Sequence, residues 1–295
     1  MWYTQKVKIQ QKHTRVNMRE IDSKIIEDAV YGLFCEACLC PPDDVMDLFK
    51  CVRQDEPTEI AKEIMSQIIN NADIAKHDKV PYCQDTGMAV VFAEIGQDVH
   101  INGNFNEAIN NGVRRAYKDC FYRKSVLTPI SRVNTSDNTP AVIHTSLTDG
   151  DKIKLTALPK GFGSENMSKI AMLSPSAGKE GIIDFVVNTA VIASGNPCPP
   201  VVIGVGIGGT FEYAALMSKR QLARPINSLN GDPILAEMEN EIKNRINSLG
   251  MGPMGLGGNN YCVKVCIEQY PTHIAGLPVA VNYCCHAIRH AQTII

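Results

Sequence analysis

Three short segments of this sequence surround a cysteine with groups that could take part in chemistry. Val80-Pro81-Tyr82-Cys83-Gln84-Asp85-Thr86-Gly87 sets a thiol beside an amide, a carboxylate and a hydroxyl, in an expected turn between helix and strand. Asn196-Pro197-Cys198-Pro199-Pro200 holds a thiol between prolines, which lock the backbone, remove amide donors and so suit a rigidly aimed ligand. Cys285-His286-Ala287-Ile288-Arg289-His290-Ala291 brings a third thiol to an expected strand-to-helix junction. A thiolate can ligate a metal or act as a nucleophile, while a buried thiol is ordinary core packing. Each segment taken alone also admits the packing reading.

The other cysteines read as structural. The chain has 11 in 295 residues. An odd count in a chain of this size, with no sign of export, argues against a disulfide framework. Cys35-x-x-Cys38-x-Cys40 looks like half of a metal knot, but a metal site needs about four ligands at suitable spacing. No second cysteine pair of matching spacing follows it, and Cys35 falls on a helical stripe, so packing is the better reading. Cys262 and Cys266 are four apart on an expected strand and should share one face in the core. Cys51 and Cys120 each end a helical stretch with nothing polar arranged around them. The run Gly204-Val205-Gly206-Ile207-Gly208-Gly209 fits G-x-G-x-x-G after a strand. Its acidic companion, about 20 residues further on, is missing, since Ala223-Arg224-Pro225 stands there. A tight strand-to-helix turn with amides free for an anion is the better reading.

Elements of ordinary kind must position these segments. A helical face at Ile25, Ile26, Ala29, Val30 and Leu33 predicts a helix over 22–34. Asp43-Asp44 open a second helix over 45–52 after Pro41-Pro42, and Pro57 sits in the first turn of a third with Ile60, Ile64, Ile68 and Ile69 on one side. Beyond Lys79 strands are expected at 88–94, 141–146, 153–158 and 261–268. Helices are expected at 105–120, 180–194 and 232–249, the last with Asp232 as cap, Pro233 at its first position and Gly250 at its end. Repeats, low-complexity linkers and long charge runs are missing. With 29 Lys+Arg against 31 Asp+Glu, nothing supports a nucleic-acid or anionic-membrane surface. No apolar run approaches the roughly 20 residues of a membrane helix, and the first residues lack an apolar signal region. Residues 1–17 are expected to be a disordered tail or start-site extension, with one domain over 18–295 and a soluble, cytoplasmic location.

Six segments in one order carry a resemblance: CQDTG (83–87), KGFGSEN (160–166), NPCPPVVIGVGIGG (196–209), GMGPMGLGGNN (250–260), PTHIAGLPVAV (271–281) and CHAIRHA (285–291). From about Met18 onward the chain resembles the class I fumarases, iron–sulfur hydro-lyases, and in particular the alpha subunit of their two-subunit type. The resemblance implies an α/β fold of mixed α+β type, with a helical N-terminal cap followed by mixed sheets flanked by helices. It implies a 4Fe–4S cluster on Cys83, Cys198 and Cys285 with one iron open; C-x-A-x-R favours Cys285 over the adjoining Cys284. Three thiolates on four irons suit a Lewis acid rather than a closed electron carrier. The resemblance further implies Asp85 in proton traffic, with Gln84, Arg123 and Gly163 contacting substrate. The family more often has glycine where Phe162 stands.

Single-chain members of that family continue into a second domain, and this sequence ends at Ile295. The expected partner is therefore a separate beta subunit of roughly 200 residues, in an assembly of two alpha and two beta chains. The expected reaction is reversible dehydration of (S)-malate to fumarate, because Lys160 before the glycines looks like the fumarase type. L(+)-tartrate dehydratase is the nearest alternative. A non-catalytic metal or redox-sensing protein is a third, against which the carboxylate of Asp85 and the guanidinium of Arg123 both argue.

Overall fold

The computed structural model describes residues 18–39 and 41–295. The expected tail over 1–17 and the last cysteine of the C-x-x-C-x-C run, Cys40, lie outside the described residues. The mixed α/β architecture expected from the sequence is present. A short strand β1 (Arg19–Asp22) leads into α1 (Ser23–Leu39) and pairs in parallel with β3 (Val99–Asn102). The helix runs beyond the expected Phe34 because Ala37 and Cys38 continue its buried stripe of Ile26, Val30 and Leu33. Ile25, placed on that stripe by the sequence, points outward. Helices α2 (Asp43–Asp55) and α3 (Glu59–Asp78) follow. Thr58 caps α3 by accepting from Ala61 N, so Pro57 precedes the cap instead of sitting in the first turn.

Two four-stranded sheets form the body. In the first, β2 (Met88–Gly96) lies between β4 (Val142–Thr148), parallel to it, and β5 (Ile153–Lys160), antiparallel; β10 (Ala291–Ile294) closes the outer edge of β5. Helices α1 and α4 (Phe105–Asp119) pack over one face of this sheet, on Ala89, Val91, Ala93 and Leu155. A Cβ on Gly112 of α4 would stand 2.6 Å from Glu27 O, so that glycine lets the two helices approach. After the single turn α5 (Phe162–Glu165), the second sheet has the order β6 (Lys169–Leu173), β9 (Leu277–Cys284), β7 (Val201–Gly208), β8 (Cys262–Tyr270). Helices α6 (Gly178–Ala193) and α8 (Pro233–Asn247) cover its outer face. The inner faces of the two sheets share a core in which Val90, Phe92 and Leu158 meet Val202, Val263, Cys266 and Cys284, closed by α2 and α3.

Three expectations are corrected. Gly204 and Gly206 lie inside β7, where an added Cβ would stand 2.0 Å from Ser218 O and 2.1 Å from Ala214 O of α7 (Phe211–Arg220). The glycine run therefore serves close helix-on-sheet packing, and the turn begins only at Gly208. Cys262 and Cys266 do not share a face: the pairing of β7 with β8 shifts by one residue between Val201 and Val202, and this bulge sends Cys262 to the outer core and Cys266 to the inner one. Cys120 has a polar neighbour after all, its sulfur lying 3.0 Å from that of Cys35. Among the described residues no helix is long and apolar enough to cross a membrane.

Candidate functional site

The three cysteine segments occupy the same end of both sheets. Cys83 sits in the connection from α3 to β2, Cys198 in the connection from α6 to β7, and Cys285 directly after β9. Residues 285–290 do not enter a helix, as the sequence suggested; they cross in irregular backbone from β9 of the second sheet to β10 of the first. That crossing brings the third thiol against the first. Cys83 and Cys285 both pack on a small cluster of Tyr82, Ala72, Ala75 and Ala287. His286 reaches the Cys198 loop, its backbone N and its ring Nδ1 each 3.1 Å from Cys198 O.

Each loop is held by named contacts. The last three carbonyls of the CQDTG turn are taken: Tyr117 Oη lies 2.8 Å from both Thr86 O and Gly87 O, Asn138 Nδ2 donates to Gly87 O, and Arg289 Nη1 donates to Asp85 O at 2.7 Å. The Cys198 loop has a left-handed residue at Cys198 itself, φ 54°, and leans on the glycine loop of residues 250–258. Met254 N donates to Pro199 O, and a Cβ on Gly195 would stand 2.9 Å from Met254 O. That glycine loop is anchored by Glu56, only 2% exposed, whose carboxylate accepts from Asn259 N, Asn260 N and Asn260 Nδ2.

The thiols are electrostatically distinct. Burial pushes up the pKa of Cys83 and of Cys198, and in both the neighbouring Cys285 adds to the rise. Cys285 is pulled well below the usual thiol range: Cys284 hydrogen-bonds to it, and His286, Arg289 and Lys160 add positive potential against the effect of burial. Cys284 is correspondingly pushed up by the same hydrogen bond and by its burial. Both sulfurs lie against the same carbonyl, Ala287 O, at 3.9 Å from Cys284 and 4.0 Å from Cys285.

Next to these loops opens a cleft of about 630 Å³ that includes Asp85, Arg123, Arg132, Phe162 and Asn166 in its walls. Arg123 is exposed, and its main chain is fixed by Thr86 Oγ1, which donates to Arg123 O at 3.0 Å. Asp85 joins the cleft to the loops: Oδ1 accepts from Gly87 N at 2.9 Å and Oδ2 from Phe162 N at 2.8 Å. The turn-capping role of Asp85 is thus real, and it coexists with a place in the cleft wall. Gln84 is exposed at the same turn. Gly163 is not among the cleft walls; it faces the Cys198 loop, where an added Cβ would lie 4.0 Å from Asn196 O. Lys160 is buried beneath, donating to Gly161 O, Ser164 Oγ and Glu165, so it does not reach the cleft. Sequence reasoning missed Arg132, Glu56 and Tyr117. Arg132 stands in a loop with no motif around it, and the other two act through backbone groups distant in sequence.

A family profile described as fumarate hydratase (Fumerase) matches residues 27–294. The chain belongs to this family. Its relatives carry a narrower name. A protein of Methanocaldococcus jannaschii named "Putative L(+)-tartrate dehydratase subunit alpha" is 40% identical over 273 residues, 90% of this chain and 96% of that one. The L(+)-tartrate dehydratase subunit alpha of Escherichia coli K12 is 32% identical over 258 residues, 86% of this chain and 85% of that one. The chain is accordingly a hydro-lyase of the fumarase and tartrate dehydratase alpha-subunit type.

The iron–sulfur group that this family implies sets demands on the donor set. Among the described residues no three Cys, His, Asp or Glu side chains stand close enough to share one metal ion. Thiolates of a cluster bind separate irons and so must stand further apart than ligands of a single ion. Three thiols brought to one end of both sheets by three loops, with the buried guanidinium of Arg289 bound to the Cys83 loop, fit a cluster better than a lone zinc or iron.

Proposed function

We propose that this chain is the alpha subunit of a 4Fe–4S-dependent hydro-lyase acting on a four-carbon hydroxydicarboxylate, with Cys83, Cys198 and Cys285 as cluster ligands. The observation that carries the reading is the meeting of the three cysteine loops beside a cleft walled by Asp85 and Arg123. When bound, the cluster supplies an iron without a protein thiolate, a Lewis acid for the substrate hydroxyl. The protein's own groups do the rest. Arg123 binds a substrate carboxylate through its planar guanidinium fork, and Arg132, across the same cleft, suits the second carboxylate. Asp85 holds or receives the proton at a carboxylate oxygen, its orientation fixed by Gly87 N and Phe162 N. Gln84, exposed at the same turn, and Gly163, which faces the Cys198 loop, are the further proposed substrate contacts. A cytoplasmic beta subunit completes the site, in line with the "subunit alpha" of the relatives' names, as two alpha and two beta chains.

The reaction proposed first is reversible dehydration of (S)-malate to fumarate. Dehydration of L(+)-tartrate is the second reading, favoured by the names of the relatives at 40% and 32% identity. Lys160 does not separate the two, because its ammonium is spent on Glu165 and Ser164 below the cleft. Anaerobic reconstitution with the beta chain, followed by parallel assays on malate, fumarate and L(+)-tartrate, tests the proposal. The expected result is turnover of malate with a higher kcat/KM than tartrate. The reverse order selects the second reading, and no turnover of either substrate by an iron-loaded complex removes both.

A further inference from the structure

Arg289 is among the largest fully buried side chains of the protein, 2% exposed. Stripping a guanidinium of water is costly unless anions and hydrogen-bond acceptors replace the solvent. Among the described residues the other buried cation, Lys160, has such partners in Glu165 and Ser164, and the half-buried Arg224 forks onto Glu239 at 2.8 Å from both nitrogens. Arg289 has no carboxylate of this kind among the described residues. Its Nη1 donates to the neutral carbonyl of Asp85 at 2.7 Å, and its Nε is buried without a partner. Its Nη2 and Asp85 Oδ2 each lie 3.2 Å from where a Cβ on Gly161 would stand, so a side chain at Gly161 would press on both. Against its burial, the groups that favour its charge are the thiols of Cys38, Cys285, Cys83 and Cys284.

Resting on the cluster reading above, we propose that Arg289 is a positioning residue with two tasks. Its fixed positive charge balances the thiolates of the cluster cradle and so raises the cluster's reduction potential, while Nη1 holds the main chain of Asp85 in register with the cleft. Two elements make the assignment specific. Arg289 is the fourth residue after Cys285 in a chain segment that crosses between the sheets, and its side chain reaches the Cys83 loop at Asp85 O. Tyr117 and Asn138 tie the carbonyls that follow Asp85, and Arg289 ties Asp85 itself. A cluster gains negative charge on reduction, so a buried cation beside it favours the reduced form, and its loss lowers the potential.

The test compares the parent with Arg289→Met and Arg289→Lys after anaerobic loading with iron and sulfide in complex with the beta chain. Iron per chain, the midpoint potential from a spectroscopic redox titration, and kcat on the better substrate are measured. In Arg289→Met the midpoint is expected to fall and iron to leave several-fold faster in air. Arg289→Lys keeps the charge and loses the fork, so its midpoint should stay near the parent's while kcat falls. An Arg289→Met protein that retains its fold yet holds no iron, beside an iron-loaded Arg289→Lys, also supports the charge role. Should Arg289→Met not fold, Arg289→Lys decides alone: a midpoint shifted far from the parent overturns the assignment. So does an unchanged midpoint in iron-loaded Arg289→Met. A parent that takes up no iron at all defeats the cluster reading first, and the proposal with it.

Discussion

Cys83, Cys198 and Cys285 differ from the remaining thiols in their surroundings more than in their type. Cys262 and Cys266 are fully buried in apolar cores, and burial pushes their pKa values up to about 12 and about 11. A protonated core thiol is replaceable by a group of similar size, whereas a ligand thiolate is not. Serine at position 83, 198 or 285 is therefore expected to abolish iron uptake under anaerobic reconstitution. Alanine at 262 or 266 should leave iron per chain unchanged and cost about 1 kcal/mol of stability. Full loading of Cys285→Ser with loss in Cys284→Ser would move the third ligand by one position. The residues of the cleft allow a sharper separation. Asp85→Asn removes the charge and one of two acceptors, so Gly87 N or Phe162 N loses its partner; kcat should fall by about 10²-fold, with the cluster retained. Arg123→Ala leaves Thr86 bound to the main chain at that position, so it should raise KM, by about 2 kcal/mol of lost binding, without changing the melting temperature. Unchanged kinetics in either variant would take that residue out of the site. The three cysteine segments and Asp85 were legible as candidates because their motifs are local strings, whereas Arg123 entered only through the resemblance. Arg132 and Glu56 were not, since their meaning comes from a cleft and a loop that lie far away in sequence.

Elements that carry no motif decide whether the loops keep their shape. Glu56 ends the C-terminal boundary of α2 and holds the glycine loop through three hydrogen bonds. Its truncation leaves three partly buried donors without their acceptor, at about 1 kcal/mol each. Glu56→Ala is expected to destabilise the chain by about 3 kcal/mol in urea unfolding and to weaken iron retention, because the loop it anchors supports Cys198. Loss of stability with normal iron retention would detach the glycine loop from the site. The junction of α5 with α7 has a pH signature. Burial alone would raise the pKa of Glu165, but Lys160 and Lys219 outweigh it and hold the carboxyl below its ordinary 4.5. Lys219 is itself pulled down, since its burial exceeds the attraction of Glu165; the carboxylate, facing two ammoniums, is the better guide. A carboxyl with a depressed folded pKa stabilises the fold above its unfolded pKa and loses that contribution as pH falls through the folded value. The urea midpoint of the parent should exceed that of Glu165→Gln by a constant amount above about pH 5, and the gap should close below 4.5. A gap independent of pH would mean that packing, not charge, distinguishes the two. Helices and strands themselves were largely foreseen from periodicity and caps, as at α8 with Asp232 accepting from Ile234 N. The bulge in β8 was not, because an extra residue leaves the apolar composition of a strand unchanged and alters only which face each side chain meets.

At the scale of the whole molecule, the fold class followed from helices alternating with strands, but the arrangement that makes the site did not. The pairing of β9 with β7 and the passage of residues 285–290 from one sheet to the other are long-range contacts, and they alone bring Cys285 and Arg289 to Cys83. The same scale shows where the site is open. The segment 121–140, between α4 and β4, forms much of the cleft wall and carries Phe121 at 92% and Ile130 at 95% exposure, while Phe162, in the cleft wall itself, is also exposed. Large apolar side chains left exposed on the segment that walls the cleft suit a surface that another protein covers, and the beta subunit is the partner to which the proposed function commits. The isolated chain should therefore take up iron yet turn over little substrate, with activity rising as the beta chain is titrated in. Phe121→Ser together with Ile130→Ser should raise the Kd for the beta chain by at least about tenfold, or 1.4 kcal/mol, and leave iron per chain as in the parent. Titration calorimetry or analytical ultracentrifugation reads the affinity, and steady-state rates read the site. Full turnover by the alpha chain alone would end the split-site account. Unaltered affinity in the double variant would place the interface elsewhere on the molecule, because a covered Phe121 and Ile130 cannot be made polar without weakening the contact that buries them.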